Sequence, residues 1–336
     1  MKAFEIQEFG IDKLAFVDRE DPAAPASGEV LVRLTAASLN YRDLMIVKGV
    51  YNPKLKRPLI PLSDAAGVVE KIGPGVSRFK EGDRVAGCFF PEWPDGPPAP
   101  EKVRPALGGS IDGVLRQRML FRQDGLVRVP SSLSDEQAAT LPCAGLTAWH
   151  ALFEHLDSRP GETVLIQGTG GVSIFALQFA HAAGMRTIVT SSSDEKLQRA
   201  KQLGANETIN YKTSPDWDEA ARKLIPEGVG HVIEVGGSDT MPRSLRALRM
   251  HGTVSVIGVL SGVEPAVGPR DLLINSLRIQ GIYVGSRAMF ERMNEAIELH
   301  RIRPVVDRMF PWTEFKQALR YMEGQQHFGK ICLKIE

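Results

Sequence analysis

The chain has 336 residues, of which 43% are hydrophobic and 24% charged, and its net charge at pH 7 is +1. This composition is typical of a globular protein of two domains, and the balanced charge disfavours broad attraction to nucleic acid or to a membrane surface. No apolar run approaches the roughly 20 residues that cross a bilayer. With three scattered cysteines and no secretory hydrophobic region at its start, the sequence predicts a cytoplasmic protein without disulfides.

Short alternating runs in the first 90 residues predict a β-rich domain. Pro/Gly-containing turns separate these runs, as expected for antiparallel strands, and residues 38–45 predict a loop that enters a short helix. The predicted strands lie at residues 2–6, 14–17 and 30–36, and the segments 61–73 and 80–87 each predict a turn followed by a strand.

Residues 91–109 contain six prolines and three glycines, a density that should exclude regular secondary structure. We favour a surface excursion, and the alternative is a lid over the functional site with Trp93 as a wall residue. The sequence does not decide between these two interpretations.

The rest of the chain predicts helices alternating with strands. Residues 134–155 favour a helix, and the alternation that follows is typical of a parallel sheet covered by helices on both faces. The predicted strands lie at residues 163–167, 187–190, 207–210, 231–235, 253–258 and 279–284. Further predicted elements are helices at 194–203, 216–224, 289–300 and about 313–323, and a last strand at 329–335.

A glycine-rich turn connects the first of these strands to a helix that ends near Gly184. In a dinucleotide fingerprint, the first glycine (Gly168) makes a tight turn and the second (Gly170) lets the backbone approach a pyrophosphate, whose charge the helix amides hold. Ser173 stands where the usual pattern has its third glycine. Because strand and helix flank the turn correctly, we predict cofactor binding over an ordinary strand–helix turn.

The end of the next strand predicts which nicotinamide cofactor binds. NAD enzymes place an acid about 20 residues beyond the glycines, but Ser191 stands there and Lys196 follows. Hydroxyl groups would accept a 2′-phosphate that a carboxylate would repel, so we expect NADPH. The two acids after Ser193 argue against this choice, and the segment could equally be a solvated helix start capped by Ser193. Both interpretations can hold at once.

Four motifs together resemble the medium-chain dehydrogenase/reductase superfamily over essentially the full chain. They are Gly-Asp-Arg-Val at 82–85, Leu-Pro-Cys-Ala-Gly-Leu-Thr-Ala at 141–148, Gly-Thr-Gly-Gly-Val at 168–172 and Leu-Gly-Ala at 203–205. Within the superfamily the chain is similar to the zinc-free quinone oxidoreductase and enoyl reductase branch. The resemblance implies an α/β protein: a GroES-like β-rich catalytic domain (1–125 and 286–336) and a Rossmann NADP-binding domain with a doubly wound parallel sheet (126–285).

The resemblance also implies where zinc would bind. Zinc enzymes of the superfamily hold the catalytic metal with a cysteine, a histidine and a second cysteine, and these positions correspond to Asn40, Ser63 and Cys143. One thiolate cannot replace the roughly three protein ligands that catalytic zinc requires. The structural-zinc lobe normally has four clustered cysteines, where this chain has Cys88 alone. We therefore expect no zinc, with Cys143 a small apolar residue or, alternatively, a reactive thiol.

By resemblance, the substrate pocket corresponds to Asn40, Asp43, Tyr51 and Asp64. The Asn40 amide could donate to the substrate oxygen or to the cofactor, and Tyr51 is a candidate proton donor or a pocket wall. Asp43 is either catalytic or a buried structural partner. We expect Arg42 to be a surface or interface charge.

The predicted cofactor contacts lie in three places: at the glycine turn, in the serine turn (Ser191–Ser193) and near the nicotinamide. By resemblance, a residue of the serine turn, Lys196 and Tyr211 bind the 2′-phosphate, and Thr147 touches the nicotinamide side. The full predicted set is Thr147, Gly168, Thr169, Gly170, Gly171, Val172, Ser191, Ser192, Lys196, Tyr211, Gly258, Val259 and Val284.

We thus expect a zinc-independent, NADPH-dependent oxidoreductase that transfers hydride to a quinone or an α,β-unsaturated carbonyl. The alternatives are a metal-free alcohol or aldehyde dehydrogenase, and an NADPH-binding protein of little turnover with a sensor or structural role. The sequence does not identify the substrate or the proton donor. The apolar run at 279–284 lacks charge and proline and should be an unprotected sheet edge. In the family this edge pairs with its own copy, which predicts a homodimer, unless the chain's own tail covers it.

Overall fold

The computed structural model describes residues 1–155, 159–258 and 267–336. It contains two compact units, one made of Met1–Leu146 and Val284–Glu336 and the other of Thr147–Tyr283. In the described ranges, no helix is both long and apolar enough to span a membrane. The domain limits inferred from the sequence, at residues 125 and 285, stay a prediction.

Except for three at residues 118–122, 126–128 and 306–311 that were not predicted, the strands of the described residues overlap the predicted runs. They are β1 (Lys2–Glu5), β2 (Ala15–Asp18), β3 (Glu29–Ser38), β4 (Asp64–Ile72), β5 (Arg84–Gly87), β6 (Arg118–Arg122), β7 (Leu126–Arg128), β8 (Thr163–Gln167), β9 (Arg186–Ser191), β10 (Glu207–Asn210), β11 (Val229–Glu234), β12 (Leu248–Val256), β13 (Arg278–Gly281), β14 (Val306–Pro311) and β15 (Lys330–Lys334).

The helices are α1 (Tyr41–Val47), α2 (Pro100–Val103), α3 (Asp135–Ala138), α4 (Leu146–Trp149), α5 (Gly171–Ala182), α6 (Asp194–Gln202), α7 (Trp217–Leu224), α8 (Met241–Ala247), α9 (Pro269–Asn275), α10 (Arg287–His300) and α11 (Phe315–Glu323).

The first unit is built on a seven-stranded sheet with the order β14-β15-β3-β4-β5-β7, with β6 pairing with β3. Strands β15 and β4 both run antiparallel to β3, and Ser38 at the end of β3 lies opposite Cys332 on one side and Asp64 on the other. This register brings together the end of β3, the start of β4 and the start of β15, although they are far apart in sequence.

The second unit is built on a six-stranded sheet with the order β10-β9-β8-β11-β12-β13, and all five pairings are parallel. The chain turns outward in both directions from β8, the arrangement of a doubly wound Rossmann sheet. The middle of β8 is fully buried, as a strand covered on both faces requires. The predicted fold class, a Rossmann sheet with a GroES-like domain, is confirmed.

Residues 135–154 are helical except for a turn at 139–140, so the helix predicted at 134–155 is present but divided. Ser134 caps α3 with its side-chain oxygen, and a π-helical turn at Leu141–Gly145 separates α3 from α4. A second π-helical segment, His150–Glu154, follows α4. Pro142 supplies no N–H to a helical ladder, which gives a physical reason for the break at this point.

The segment at 91–109 is more ordered than its composition suggests. It contains the short helix α2, whose first residue, Pro100, has the fixed φ that suits a helix start, so the expectation of no regular structure is wrong. Trp93 is buried, and its indole N–H donates to the Gly96 carbonyl at 2.9 Å. The Arg287 amide donates to the Trp93 carbonyl at 2.9 Å. Trp93 is therefore a buried anchor rather than a wall residue of a lid.

Candidate active site

Four polar side chains of the first unit form a closed cycle of contacts, here called the polar ring: Asn40, Ser63, Asp64 and Lys330. The Lys330 ammonium donates to Asn40 Oδ1 at 2.5 Å, and Asn40 Nδ2 donates to Ser63 Oγ at 3.4 Å. Ser63 Oγ donates to Asp64 Oδ1 at 2.6 Å, and Lys330 Nζ lies 3.9 Å from Asp64 Oδ2. The pairing of β3 with β4 and β15 brings these residues together.

The polar ring is almost completely removed from water. Asp64 is 0% exposed and Lys330 is 3% exposed. Burial raises the pKa of Asp64 above its ordinary value, while the Lys330 cation and the hydrogen bonds from Ser63 and Asn40 act against this rise. A buried carboxylate is tolerated where a cation and hydrogen-bond donors compensate for the lost hydration.

Asp43 lies beside the polar ring and performs a structural task. Asn40 is the N-cap of α1, and its backbone N–H donates to Asp43 Oδ2 at 2.8 Å. Burial is the largest cause that raises the Asp43 pKa to about 6, and the neighbouring Arg42 cation opposes it. The hydrogen bond to the helix start favours the structural interpretation of Asp43.

Arg42 was expected to be a surface or interface charge, and the surface alternative is wrong. Its side chain is only 12% exposed and lies 3.6 Å from Asp43 Oδ1. The guanidinium carbon is 4.1 Å from the centre of the Phe89 ring, and Nη2 donates to the Leu107 carbonyl at 2.5 Å. A planar guanidinium can stack on a ring and donate at its edge at the same time, which makes partial burial tolerable.

Tyr51, the candidate proton donor, is 47% exposed. Its backbone N–H donates to the Met45 carbonyl at the end of α1 at 3.3 Å. The described hydrogen bonds do not connect its side chain to the polar ring, so its role in proton transfer stays a prediction.

The residues at the zinc positions of the family do not fit a metal ion. An amide and a hydroxyl, from Asn40 and Ser63, stand in place of two strong ligands, and burial raises the pKa of the Cys143 thiol to about 12. A protonated thiol is a poor nucleophile, which disfavours the reactive-thiol interpretation of Cys143. Across the described ranges, no three His, Cys, Asp or Glu side chains form a group that could hold a metal. The predicted absence of zinc stays a prediction.

The glycine turn of the second unit has the shape that a pyrophosphate requires. Gly168 has φ +71°, a left-handed conformation that suits glycine, and Ser173 Oγ donates to the Gln167 carbonyl at 2.7 Å. A Cβ at Gly170 would meet nothing within 4 Å. No side chain of the described residues caps α5, so the amides of its first turn are available to an anion.

Among the predicted 2′-phosphate residues, Ser191 and Tyr211 lie at the carboxyl ends of β9 and β10, and Lys196 lies in α6. Tyr211 N–H donates to the Ser191 carbonyl at 3.0 Å, which places the two residues side by side. Ser193 caps α6 by accepting from the Lys196 N–H at 3.3 Å, so the helix-start interpretation is correct. The Asp194 carboxylate accepts a hydrogen bond from Asn210 at 2.7 Å.

All of the other predicted cofactor contacts except Val259 lie in the described residues. Thr147 is buried in α4. Gly258 packs so tightly that a Cβ would lie 2.1 Å from the Val235 carbonyl oxygen. Val284 has φ +51°, which is unusual for a β-branched residue and is often found at functional sites. Val259 lies outside the described residues.

Sequence reasoning missed a further buried carboxylate, Glu234, at the end of β11. It accepts hydrogen bonds from the Gly236 and Gly237 amides at 2.8 and 3.0 Å and from Gln167 Nε2 at 2.7 Å. Thr240 also donates to it, at 2.6 Å. An acid at the carboxyl end of a parallel strand could have drawn attention, because ligands of such sheets bind at this edge.

The sequence and the structure both match known dehydrogenases. The family described as the alcohol dehydrogenase GroES-like domain matches residues 26–131, and the one described as zinc-binding dehydrogenase matches residues 171–299. A zinc-type alcohol dehydrogenase-like protein of Schizosaccharomyces pombe is 48% identical, over 97% of this chain and 96% of its own.

Two solved structures cover nearly the whole chain. One, an NAD-dependent alcohol dehydrogenase, has a TM-score of 0.91 and 32% identity and covers 100% of both chains. The other, quinone oxidoreductase of Escherichia coli in complex with NADPH, has a TM-score of 0.84 and 26% identity and covers 99% of this chain and 100% of its own. The chain therefore belongs to the medium-chain dehydrogenase/reductase superfamily and is an oxidoreductase of that family.

Proposed function

We propose that the protein is a zinc-independent, NADPH-dependent reductase of quinones or α,β-unsaturated carbonyls. The observation that carries this proposal is the polar ring, which offers an amide donor but lacks a metal-ligand set at the positions where zinc relatives bind their metal. The similarity to a quinone oxidoreductase that was solved with NADPH supports it.

NADPH supplies a hydride when it is bound. In the proposed binding mode the glycine turn, Gly168 to Gly171, holds the pyrophosphate, while Ser192, Lys196 and Tyr211 hold the 2′-phosphate. With an enone, the hydride adds to the β-carbon and the electron pair of the double bond moves toward the carbonyl oxygen. The Asn40 amide stabilises the resulting enolate by a hydrogen bond, and a proton from Tyr51 or water completes the reduction at the α-carbon.

Absorbance should be used to follow the oxidation of NADPH with a panel of quinones, enones and aldehydes, and the reduction of NADP+ with a panel of alcohols. We expect turnover with quinones or enones, and we expect Asn40→Ala to lower kcat with that substrate by about a hundredfold, as loss of an oxyanion donor does. Turnover confined to alcohols and aldehydes would contradict the proposal.

A metal-free alcohol or aldehyde dehydrogenase is the second candidate. The names of relatives favour the alcohol dehydrogenase activity but not the absence of metal, since the Schizosaccharomyces pombe protein is named zinc-type alcohol dehydrogenase-like and one of the two structures is an NAD-dependent alcohol dehydrogenase. Carbonyl reduction concentrates negative charge on one oxygen, so it depends more on a Lewis acid than enone reduction does. The same panel separates the two candidates.

Purified protein should contain less than about a tenth of an equivalent of zinc, because one thiol cannot replace the roughly three protein ligands that catalytic zinc requires. Metal analysis of the protein after dialysis against zinc measures the zinc content per chain. A zinc alcohol dehydrogenase is the positive control. Near-stoichiometric zinc that is lost together with activity on chelation would contradict it.

NADPH should bind more tightly than NADH, and Lys196→Ala should remove much of that preference. Loss of a charge-assisted contact to the 2′-phosphate costs about 1.5–3 kcal/mol, or tenfold and more in Kd. Titration of nucleotide fluorescence gives both dissociation constants. Lys201→Ala, an exposed lysine of the same helix, is the control, and equal affinity of the unmodified protein for both nucleotides would sink the prediction.

We also propose a homodimer that forms through residues 279–284. Strand β13 is the last of the parallel sheet, and Ile279 and Tyr283 are exposed. The Ile282 N–H donates inward to the Val256 carbonyl at 2.9 Å. Because neighbouring amides alternate in a strand, the Gly281 N–H faces the open side. Gly281→Pro, rather than a change at Ile282, therefore removes a donor from the outer edge.

Light scattering at micromolar concentration should give twice 36.8 kDa for the unmodified protein and a lower mass for Gly281→Pro. Gly281→Ala is the matched control, because it keeps the N–H and its Cβ meets nothing within 4 Å. A mass of 36.8 kDa for a fully active unmodified protein would rule the dimer out.

A further inference from the structure

Lys330 is a buried cation whose short contacts go to neutral atoms. Its ammonium donates to the Leu39 carbonyl at 2.7 Å and to Asn40 Oδ1 at 2.5 Å. The contact with its charged partner is longer, since Asp64 Oδ2 lies 3.9 Å away. A lysine that served only to neutralise Asp64 would approach the carboxylate more closely. The geometry instead directs the positive charge at Asn40.

Lys330 fixes the orientation of the Asn40 amide. An ammonium has three donors and no acceptor, so the Asn40 atom that faces it must be the oxygen. Ser63 Oγ gives its own proton to Asp64 Oδ1 at 2.6 Å and can therefore accept from Asn40 Nδ2, at 3.4 Å. A carboxamide nitrogen carries two N–H bonds. Ser63 Oγ and the Asp64 carboxyl group, which are joined at 2.6 Å, share one of them, which leaves the other as a donor in a defined direction.

We propose that Lys330 is a positioning residue for hydride transfer and acts through the Asn40 amide. Lys330 holds the remaining Asn40 N–H in place for the substrate oxygen. It also polarises the Asn40 amide, so that the Lys330 charge, acting through this amide, stabilises negative charge on the substrate oxygen. A donor that is fixed in advance and backed by a buried charge needs no reorganisation when charge develops. This inference rests on the proposed function, in which Asn40 binds the substrate oxygen.

The test is a double-mutant cycle on the full chain with Lys330→Met, Asn40→Ala and the combined variant. We expect Lys330→Met to lower kcat by about tenfold to a hundredfold while the Kd for NADPH changes by less than about twofold. In the Asn40→Ala background the same change should lower kcat by less than about threefold, because the group that transmits the effect is gone. Lys334→Met, at an exposed position of the same strand, is the control.

A second pair of variants covers the case in which Lys330→Met does not fold. Asp64→Asn removes the carboxylate that the missing lysine would leave unpaired, and Lys330→Met in that background should lower kcat by the same factor. If Lys330→Met lowers kcat equally with and without Asn40, or leaves kcat unchanged, the inference is overturned.

The inference and the proposed function fail in different ways. If the unmodified chain reduces nothing on the panel, the proposed function fails and the catalytic part of the inference fails with it. The orientation of Asn40 is then tested without turnover, by measuring the urea midpoint of unfolding for each variant of the same double-mutant cycle. Additive midpoint shifts for Lys330→Met and Asn40→Ala would show that the two side chains are not coupled and would overturn that part as well.

Discussion

Replacing Lys330 by methionine should lower the free energy of unfolding by about 3–5 kcal/mol, the usual cost of removing one partner from a buried ion pair. The side chains of Lys330 and Asp64 are 4% and 0% exposed, so water cannot replace the lost ammonium. Two further acceptors, the Leu39 carbonyl and Asn40 Oδ1, lose their donor in the same variant.

Urea titrations followed by tryptophan fluorescence measure this loss. Combining Lys330→Met with Asp64→Asn should recover most of it, because no charge is then left buried alone. The loss should also shrink as the pH falls. Burial already raises the Asp64 pKa, and a carboxyl with a raised native pKa binds its proton in the native state first, which relieves the unpaired charge.

Lys334→Met is again the control, and it should stay within about 0.5 kcal/mol of the unmodified protein, as surface substitutions do. If Lys330→Met is as stable as that control at pH 8, the ammonium does not compensate the Asp64 charge, and the account of the polar ring is wrong.

The parts of the fold that local sequence determines could be predicted. The bounds of β8 and β10 are those expected, because short β-branched runs between glycine turns have few alternatives. The glycine turn at Gly168 was also predicted, because the order of strand, glycines and helix is visible in the local sequence. The interruption of the segment after Ser134 was missed, although Pro142 signals it, since apolar periodicity continued through the proline.

The polar ring could be predicted only in part. The resemblance indicated Asn40 and Asp64, but Lys330 lies 290 residues beyond Asn40 in the sequence. Only the register of β15 on β3 brings the lysine to this point, and a single sequence does not reveal that register. Arg42 was misjudged because arginines are mostly exposed, and the ring of Phe89 that covers it is supplied by a distant segment.

The second large effect concerns acid stability and the imidazole of His231 in β11. Its Nε2 lies 2.8 Å from Ser255 Oγ, and among the described residues Nδ1 has no hydrogen-bond partner. Burial lowers the pKa of His231 from 6.5 to about 3. The unfolded chain therefore binds a proton near pH 6.5 that the native chain does not bind until about pH 3. Stability is retained above pH 6.5 and falls as the pH decreases through this window.

The protein should lose up to about 5 kcal/mol of unfolding free energy from this residue between pH 6.5 and pH 3, at about 1.4 kcal/mol per pH unit. Urea midpoints at pH 7.5, 6 and 5 measure how stability depends on pH before other titrating groups dominate.

The double variant His231→Leu/Ser255→Ala removes the titrating imidazole and its hydroxyl partner together. Replacing both partners of a buried hydrogen bond by apolar groups of similar shape changes the free energy of unfolding little. The stability of the double variant should fall less steeply with acid than that of the unmodified protein. His300→Gln, at the exposed end of α10, should leave the slope unchanged. Parallel curves for the unmodified protein and the double variant would show that His231 is already protonated in the native state or remains hydrated there.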